Sequence, residues 1–399
     1  VRKIEGVKQA TVAGSYRRRK ETVGDLDILV TAKAGRTVIE RFVKYDEVTR
    51  IVSQGDTRST VILRSGLQVD LRVVPEVSYG AAMHYFTGSK SHNIACRRRA
   101  QARGLKLNEY GVFKGRKRVA GKTEEGVYEA VGLPWIAPVL RESRGEIEAS
   151  EDGSLPNLVE ETDIRGDLHC HTDASDGRAT LREMAEAAQA RGYEYLAICD
   201  HSKSRAVANG LDEKRLRRQM EEIDALNEEY NGFRLLKSSE VDILRDGCLD
   251  YPDSLLEQLD IVVAAVHSDF ELDEAAQTKR ILRALDNPHV DILAHPTGRL
   301  IGERRAYAVD VEKLVEAAKQ RGCHLELNAN PMRLDLNDLA CRMARDLGVK
   351  ISIATDAHTA RGLENMRYGI DQAQRGWLGP ENVLNAGGWK TLSGQLRSR

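Results

Sequence analysis

Paired cysteines are missing from this chain. The six it has, at positions 96, 170, 199, 248, 323 and 341, form no Cys-x-x-Cys pair, and most fall in apolar runs. That usage suits a reducing compartment and excludes a disulfide scaffold. No apolar run reaches membrane-spanning length, and neither a secretory leader pattern nor a lipidation motif is present. A cytoplasmic protein with no membrane partner is therefore expected. Internal repeats and low-complexity tracts are absent as well. What remains is a chain of 399 residues with an ordinary hydrophobic share of 41%, long enough for two or three domains. The first residue is Val1 and not methionine, so a preceding segment is expected.

A net charge of −1 conceals an imbalance. Residues 1–140 hold 26 Lys/Arg against 14 Asp/Glu, and the remainder holds 34 against 47. A basic first half suggests a polyanionic partner, and an acidic second half is consistent with collecting cations. Between them, residues 141–163 are acidic, poor in apolar periodicity and interrupted by Gly-Ser-Leu-Pro, which reads as a linker.

The second half is organised around Asp167-Leu168-His169-Cys170-His171, followed by Asp176. On a strand, alternate residues share a face, so His169 and His171 converge while Cys170 points away. Imidazole with carboxylate suits zinc, manganese or iron. The pattern then recurs at the ends of apolar, strand-length runs. Residues 195–199 lead to His201, 233–238 to Glu240, 261–266 to His267, 290–294 to His295, and 350–354 to Asp356 and His358. Helical stretches alternate with them. One opens at Thr180 with Glu183 as a capping-box partner and closes near Gly192; another runs from Val311 to a Gly322 stop. Alternating strands and helices argue for a parallel barrel, whose sites form at the C-terminal ends of its strands. Six of the ten histidines would then sit on one rim, a metal site rather than a packing accident.

In the first half, Gly14-Ser15-Tyr16-Arg17-Arg18-Arg19-Lys20 reads as a phosphate cradle or as a solvated basic loop. Asp25 and Asp27 open an apolar strand on one face, and paired like charges there ask for a cation, Mg²⁺ being the natural guest. Asp70, in Val69-Asp70-Leu71, supplies a third carboxylate, a set suited to two-metal phosphoryl transfer. The basic stretch from Lys114 to Lys122 suits backbone phosphates without sequence preference.

The ordered set His169-x-His171, Asp200-His201-Ser202, Ser239-Glu240-Val241, Val266-His267-Ser268, Ala294-His295-Pro296 and Thr355-Asp356-Ala357-His358 resembles the polymerase-and-histidinol-phosphatase (PHP) domain. The resemblance runs from about residue 163 onward. It implies a distorted (βα)7 barrel with three ions, Mn²⁺ or Zn²⁺, held by His169, His171, Asp176, His201, Glu240, His267, His295, Asp356 and His358. Gly14-Ser15-x-Arg17-Arg18, Gly24-Asp25-x-Asp27, Val69-Asp70-Leu71 and Tyr85-Phe86-Thr87-Gly88-Ser89 are similar to family X DNA polymerases. That resemblance implies an α/β chain made of a nucleotidyltransferase-like palm (1–82), a small thumb (83–140), a linker (141–163) and the PHP domain (164–399). It assigns the palm metals, Mg²⁺, to Asp25, Asp27 and Asp70. Gly14, Ser15, Arg18, Tyr85, Phe86, Gly88 and Asn93 would hold the dNTP, and Arg97, Lys114, Arg116 and Lys117 would contact DNA. Gln68 stands where animal members of that family usually carry a basic residue. The gripping and fingers domains that precede a family X palm do not fit into the thirteen residues ahead of Gly14, so weak template binding and weak polymerisation are expected of this stretch.

For the second half, phosphoester hydrolysis is expected, with Arg299 and Arg333 on the substrate phosphate or as plain loop arginines. Asn328 and Asn330 would support the ligands. Three functions compete: a DNA repair enzyme of bacterial cytosol whose PHP domain is a 3′→5′ exonuclease, also cutting abasic sites; a small-molecule phosphatase; and a non-enzymatic DNA-binding platform. The basic first half favours the first, and a complete ligand set disfavours the last. A monomer is assumed.

Overall fold

The computed structural model describes residues 1–396, so the last three positions of the expected 164–399 domain lie outside the described residues. The chain divides into two compact units, Val1–Leu155 and Pro156–Arg399.

The first unit begins with a five-stranded sheet: β1 (Val7–Val12), β2 (Asp25–Ala32), β3 (Val48–Gln54), β4 (Arg58–Leu63) and β5 (Gln68–Val74), in the order β1-β2-β5-β4-β3. Only β2 and β5 run parallel, and their register sets Asp27 opposite Asp70 and Asp25 opposite Gln68. One face of the sheet is covered by the helix Gly35–Phe42, whose Val38, Ile39 and Phe42 pack on Val30, Val61, Val69, Leu71 and Val73. Burying such side chains is worth roughly 1.5–3 kcal/mol each, which fixes the strands that carry the aspartates. Helices Tyr79–Thr87 and Lys90–Ala102 follow, then a three-stranded meander of β6 (Lys106–Asn108), β7 (Gly111–Lys114) and β8 (Lys117–Ala120), and the helix Glu124–Ala130.

Residues 141–163 are not a free linker. Arg141 and Glu146 are fully buried within the first unit, and Glu146 opens a helix that runs to Asp152. The Arg141 guanidinium donates to Glu124 and to the Ile136 carbonyl, and Glu146 accepts from His92 Nδ1 at 2.7 Å. Beyond residue 155, Val159 and Ile164 join the core of the second unit. The acidic composition concealed buried charges that are paired, which composition alone cannot distinguish from solvated ones.

The second unit is built on seven parallel strands: β9 (Gly166–Cys170), β10 (Tyr195–Ile198), β11 (Arg234–Asp242), β12 (Ile261–Ala265), β13 (Ile292–Leu293), β14 (His324–Asn328) and β15 (Ile351–Ala354), each hydrogen-bonded to the next. Period-two alternation divides their apolar side chains. On β12, Ile261, Val263 and Ala265 pack inward with Tyr195, Ala197 and Leu236, while Val262 and Ala264 face the helical layer. The ring closes between β9 and β15 in two ways. Past the strand ends, Asp356 N donates to the His169 carbonyl and His171 N to the Ala357 carbonyl, at 2.9 and 2.8 Å. At the other end Asn385 wedges between them, donating to Gly166 O and Ile353 O and accepting from Ile353 N. The Thr180 capping box and the Gly322 left-handed cap (φ 69°) are as the sequence predicts.

Candidate active sites

At the C-terminal rim of the barrel the nine metal-ligand-type residues meet. His169 Nε2 and His171 Nε2 are 3.2 Å apart, as alternation requires, while Cys170 turns outward toward the Ala197 carbonyl. Glu240, at the far end of β11, lies in the middle. Its Oε1 is 2.8 Å from His295 Nε2 and 3.2 Å from His267 Nε2, and its Oε2 is 2.9 Å from His201 Nδ1 and 3.6 Å from His169 Nε2. Asp356 Oδ1 stands 3.2 Å from His171 Nε2. Asp176 closes the outer side, 3.4 Å from His358 Nε2 and 3.5 Å from His201 Nε2. His171 is stacked between His201 and His358, with ring centroids 4.6 and 4.3 Å away. Three overlapping groups have ligand atoms all within 4.8 Å of one another: His169, His171 and Asp356; His201, Glu240 and His267; and His171, Asp176, His201 and His358.

The electrostatics follow from mixing signs in a buried place. Burial opposes charge on every group, yet the histidines around Glu240 hold its carboxyl well below the usual carboxylate range. Burial likewise disfavours a charged His201, but Glu240 and Asp176 outweigh it and raise the imidazole to about 10. His171, between like rings, is pushed down to about 4, burial first and its neighbours' charge after. The Nδ1 atoms of His171 and His295 are buried without a hydrogen-bond partner. Stacked imidazoles, interleaved carboxylates and orphaned ring nitrogens fit divalent cations, which would satisfy all three at once. Asp356 (φ 52°) and His295 (φ 28°) also hold left-handed backbone, which costs a non-glycine residue on the order of 1–3 kcal/mol. Each is pinned through its own N–H, Asp356 by the His169 carbonyl and His295 by Glu326 Oε2 at 2.6 Å.

Sequence reasoning missed two carboxylates behind the ligands. Glu326, fully buried on β14, accepts from His169 Nδ1 at 2.6 Å. Asp242 accepts from His267 Nδ1 at 2.5 Å. Each fixes one imidazole tautomer and leaves Nε2 turned to the cluster, the arrangement that orients metal-bound histidines. The signal was present: Glu326 interrupts the apolar alternation of His324-Leu325-Glu326-Leu327, and Asp242 lies two residues past Glu240 on one strand face. Asp200 braces the His171 loop by accepting from Thr172 N, Thr172 Oγ1 and Ser175 Oγ. Asn328 donates to Glu326 and Asp356 at 3.2 Å each, and Asn330 N–H donates to Asn328.

The two loop arginines part company. Arg333 Nε lies 3.3 Å from Asp356 Oδ2, beside the cluster. Arg299 donates to the carbonyls of Arg333 and Leu334 and so helps to hold that loop in shape.

In the first unit, Asp25, Asp27 and Asp70 share neighbouring strands but do not form a group with all ligand atoms within 4.8 Å. Burial, then Asp25 and Asp70, push the Asp27 carboxyl up to about 6 despite Arg72 and Arg18. Asp70 is steadied by Thr60 Oγ1 at 2.5 Å and by Gln68 Nε2 at 2.8 Å. Gly14 (φ 62°) touches Asp27 so closely that a Cβ would stand 2.5 Å from Oδ2, which leaves glycine as the residue that fits. Ser15, half-buried, follows it in the short helix Gly14–Arg17. Arg18, expected on the incoming triphosphate, has protein partners in this structure. Its guanidinium donates to Glu142 Oε1 at 3.0 Å and to the Thr87 carbonyl at 2.5 Å, tying the Gly-Ser turn to the later helices.

Tyr85 and Phe86 pack edge to face at 5.0 Å, with Arg97 over the first ring and Arg72 over the second. Asn93 is buried and donates to the Tyr85 carbonyl at 2.7 Å, and Gly88 (φ 69°) ends that helix beside Arg18. Lys114, Arg116 and Lys117 stand exposed on and beside the β7–β8 turn.

Comparison with known proteins matches the same two halves. The DNA polymerase beta palm family matches residues 1–81, the DNA polymerase beta thumb family 82–142, and the PHP domain family 167–330. The chain is 44% identical over 389 residues to the DNA polymerase/3′-5′ exonuclease PolX of Bacillus subtilis (strain 168), covering 96% of this chain and 68% of that protein. It is 30% identical over 231 residues to a probable phosphatase of Thermoanaerobacter sp. (strain X514), covering 55% of this chain and 89% of the other. A probable phosphatase of Acetivibrio thermocellus is 33% identical over 203 residues, covering 48% and 78%.

Proposed function

This chain belongs to the family X DNA polymerases that carry a PHP domain, and from that premise we propose that it processes DNA ends with two separate chemistries. The barrel rim hydrolyses phosphodiesters from the 3′ end of a DNA strand, with abasic-site cleavage as a further use. The observation that carries this is the meeting of nine ligand-type residues, two of whose imidazoles are oriented by Glu326 and Asp242. Three ions, Mn²⁺ or Zn²⁺, would be held by His169, His171 and Asp356, by His201, Glu240, His267 and His295, and by His171, Asp176, His201 and His358. Divalent ions in such a site supply the charge that activates a water and offsets the phosphate's negative charge. The protein's own part is positional. Arg333 sits against Asp356 beside the cluster, where its guanidinium suits a phosphate oxygen. Substrate enters past His358 and Asp176, which are 37% and 33% exposed while the other ligands are nearly enclosed.

In the first unit, Asp25, Asp27 and Asp70 would hold Mg²⁺ for template-directed nucleotidyl transfer from a dNTP. Burial, and after it the like charges of Asp25 and Asp70, raise the Asp27 carboxyl, and a cation there would offset both. Gly14 brings a backbone turn against Asp27, Ser15 stands beside it, and Tyr85, Phe86, Gly88 and Asn93 flank the nucleotide. Arg97, Lys114, Arg116 and Lys117 would meet DNA phosphates. With DNA as substrate and no helix among the described residues long and apolar enough to cross a membrane, a bacterial cytosolic setting suits the protein.

The test is a 5′-labelled oligonucleotide with a recessed 3′ end, incubated with Mn²⁺ beside histidinol phosphate. A ladder shortening from the 3′ end and lost in His171→Ala establishes the nuclease. Phosphate released from histidinol phosphate with the oligonucleotide intact would instead make the second unit a small-molecule phosphatase, the reading its phosphatase relatives favour.

A further inference from the structure

The rim carries more positive charge than the nine ligands explain. Arg205 follows His201 in the turn after β10, Arg304 lies in the long connection after β13, and Arg333 follows β14. All three loops are tied to the ligand cluster. Ser204 Oγ donates to Asp242, which accepts from His267 Nδ1; the Gly298 N–H donates to the His295 carbonyl, and Arg304 in turn donates to the Gly298 carbonyl at 2.8 Å.

Arg205 and Arg304 have no carboxylate within ion-pairing distance among the described residues. Arg205 Nε is buried with no hydrogen-bond partner. Arg304 lies over the Phe270 ring at 4.2 Å, and Phe270 stacks on Tyr307, so the guanidinium is held in one plane. Burial first, then the positive charges of Arg333 and Arg205, disfavour the charge on Arg304. Like charges gathered in a half-buried place are costly unless an anion joins them. Of the cluster's carboxylates, Asp356 already pairs with Arg333, while Glu240 and Asp176 face histidines, so none pairs with Arg205 or Arg304. Guanidinium forks match phosphate oxygens in geometry as well as charge.

We propose that Arg205 and Arg304, with Arg333, form a second phosphate subsite beside the metal-ligand cluster, which grips the phosphodiester adjacent to the one being hydrolysed. The substrate class is then a nucleic-acid strand with at least two phosphates, and a phosphomonoester metabolite fills only half of the site. Val207, 86% exposed, and Met332, 41% exposed, offer apolar surface on the same loops where a base can lie. This rests on the hydrolase reading of the rim.

The experiment follows hydrolysis of bis-p-nitrophenyl phosphate by the full chain with Mn²⁺, inhibited by thymidine 5′-monophosphate or by the dinucleotide pTpT. Such short competitors report on the reacting site and not on DNA binding elsewhere. For the wild type, pTpT is expected to inhibit about tenfold more tightly than the mononucleotide, the size of one charge-assisted contact. In Arg205→Ala and Arg304→Ala that advantage should fall to about twofold, with Arg205→Lys between. The readout is a ratio within each variant, so a general loss of activity cancels. Unchanged ratios, or no advantage in the wild type, would overturn the subsite and leave the hydrolase standing. No hydrolysis of any phosphodiester by the wild type would overturn both.

Discussion

The two halves gather charge by opposite rules. In the first, three carboxylates share neighbouring strands, and burial, then Asp25 and Asp70, push the Asp27 carboxyl up to about 6 against Arg72 and Arg18. In the second, imidazoles and carboxylates alternate so closely that each stabilises the other, and Glu240 is held well below its ordinary range. A site in which carboxylates outweigh their cationic neighbours is incomplete without its cation and substrate. A mixed-sign site is organised before either arrives, because the barrel rim and the buried Glu326 and Asp242 fix its side chains. The difference explains why the rim closes into tight groups of ligand atoms while the three aspartates do not.

If the halves are separate machines, damage to one should spare the other. His171→Ala or Asp356→Ala should lower 3′ hydrolysis by about 10³-fold or more, since ion clusters are worth several kcal/mol of barrier. DNA binding, followed by mobility shift, should stay nearly intact; loss of binding to the same degree would break the two-machine account. The reciprocal change, Asp27→Asn, should remove nucleotidyl transfer and leave the hydrolytic ladder in place. Its pH dependence sharpens the contrast. Asp27 ionises near 3.8 when unfolded but holds its proton to about 6 in the fold. The Mg²⁺ needed for half-maximal nucleotidyl transfer should therefore climb as pH falls through about 6. Its sign for stability is opposite to that of a salt-bridged aspartate. The stability gained from binding the proton is present in full below 3.8 and lost as pH rises through 6.

A smaller effect tests preorganisation. Glu326→Gln keeps shape but weakens the grip on His169 Nδ1, and such supporting changes typically cost 10–100-fold in metal affinity or activity. Added Mn²⁺ should recover most of the loss, measured as a shifted metal-activation curve. A loss that no metal concentration repairs would mean that Glu326 acts on the substrate directly.

Much of the rim was readable because the barrel repeats one sentence: an apolar run, then a ligand. Period two placed His169 and His171 together and turned Cys170 away, and the Thr180 and Gly322 caps marked two helices. β13 was harder, since only Ile292 and Leu293 pair within the run read as 290–294. What stayed hidden was every buried charge whose partner lies far away in sequence. Glu146 looked like linker until His92 was seen beside it, and nothing in the sequence announced that Arg18 would reach Glu142 or that Arg299 would reach the Arg333 carbonyl. A charge reads alike in a sequence whether solvated or paired, and the partner is known only once the chain has folded.

The mildest test concerns Lys114, Arg116 and Lys117, exposed at the β7–β8 turn. If they meet backbone phosphates, each change to alanine should lower the slope of log affinity against log salt by about 1 and weaken binding about threefold at moderate salt. The loss should be the same for any sequence, because phosphate contacts carry no base information. Hydrolysis of bis-p-nitrophenyl phosphate should not respond, since that small diester needs only the barrel rim. Fluorescence anisotropy of a labelled duplex at several salt concentrations supplies the first quantity, and absorbance at fixed Mn²⁺ the second. A triple variant that bound DNA with an unaltered salt slope would free the turn from any role in binding. One that slowed the small diester would show that the first unit influences the rim, and the comparison between a substrate-completed site and a self-completed one would have to be redrawn.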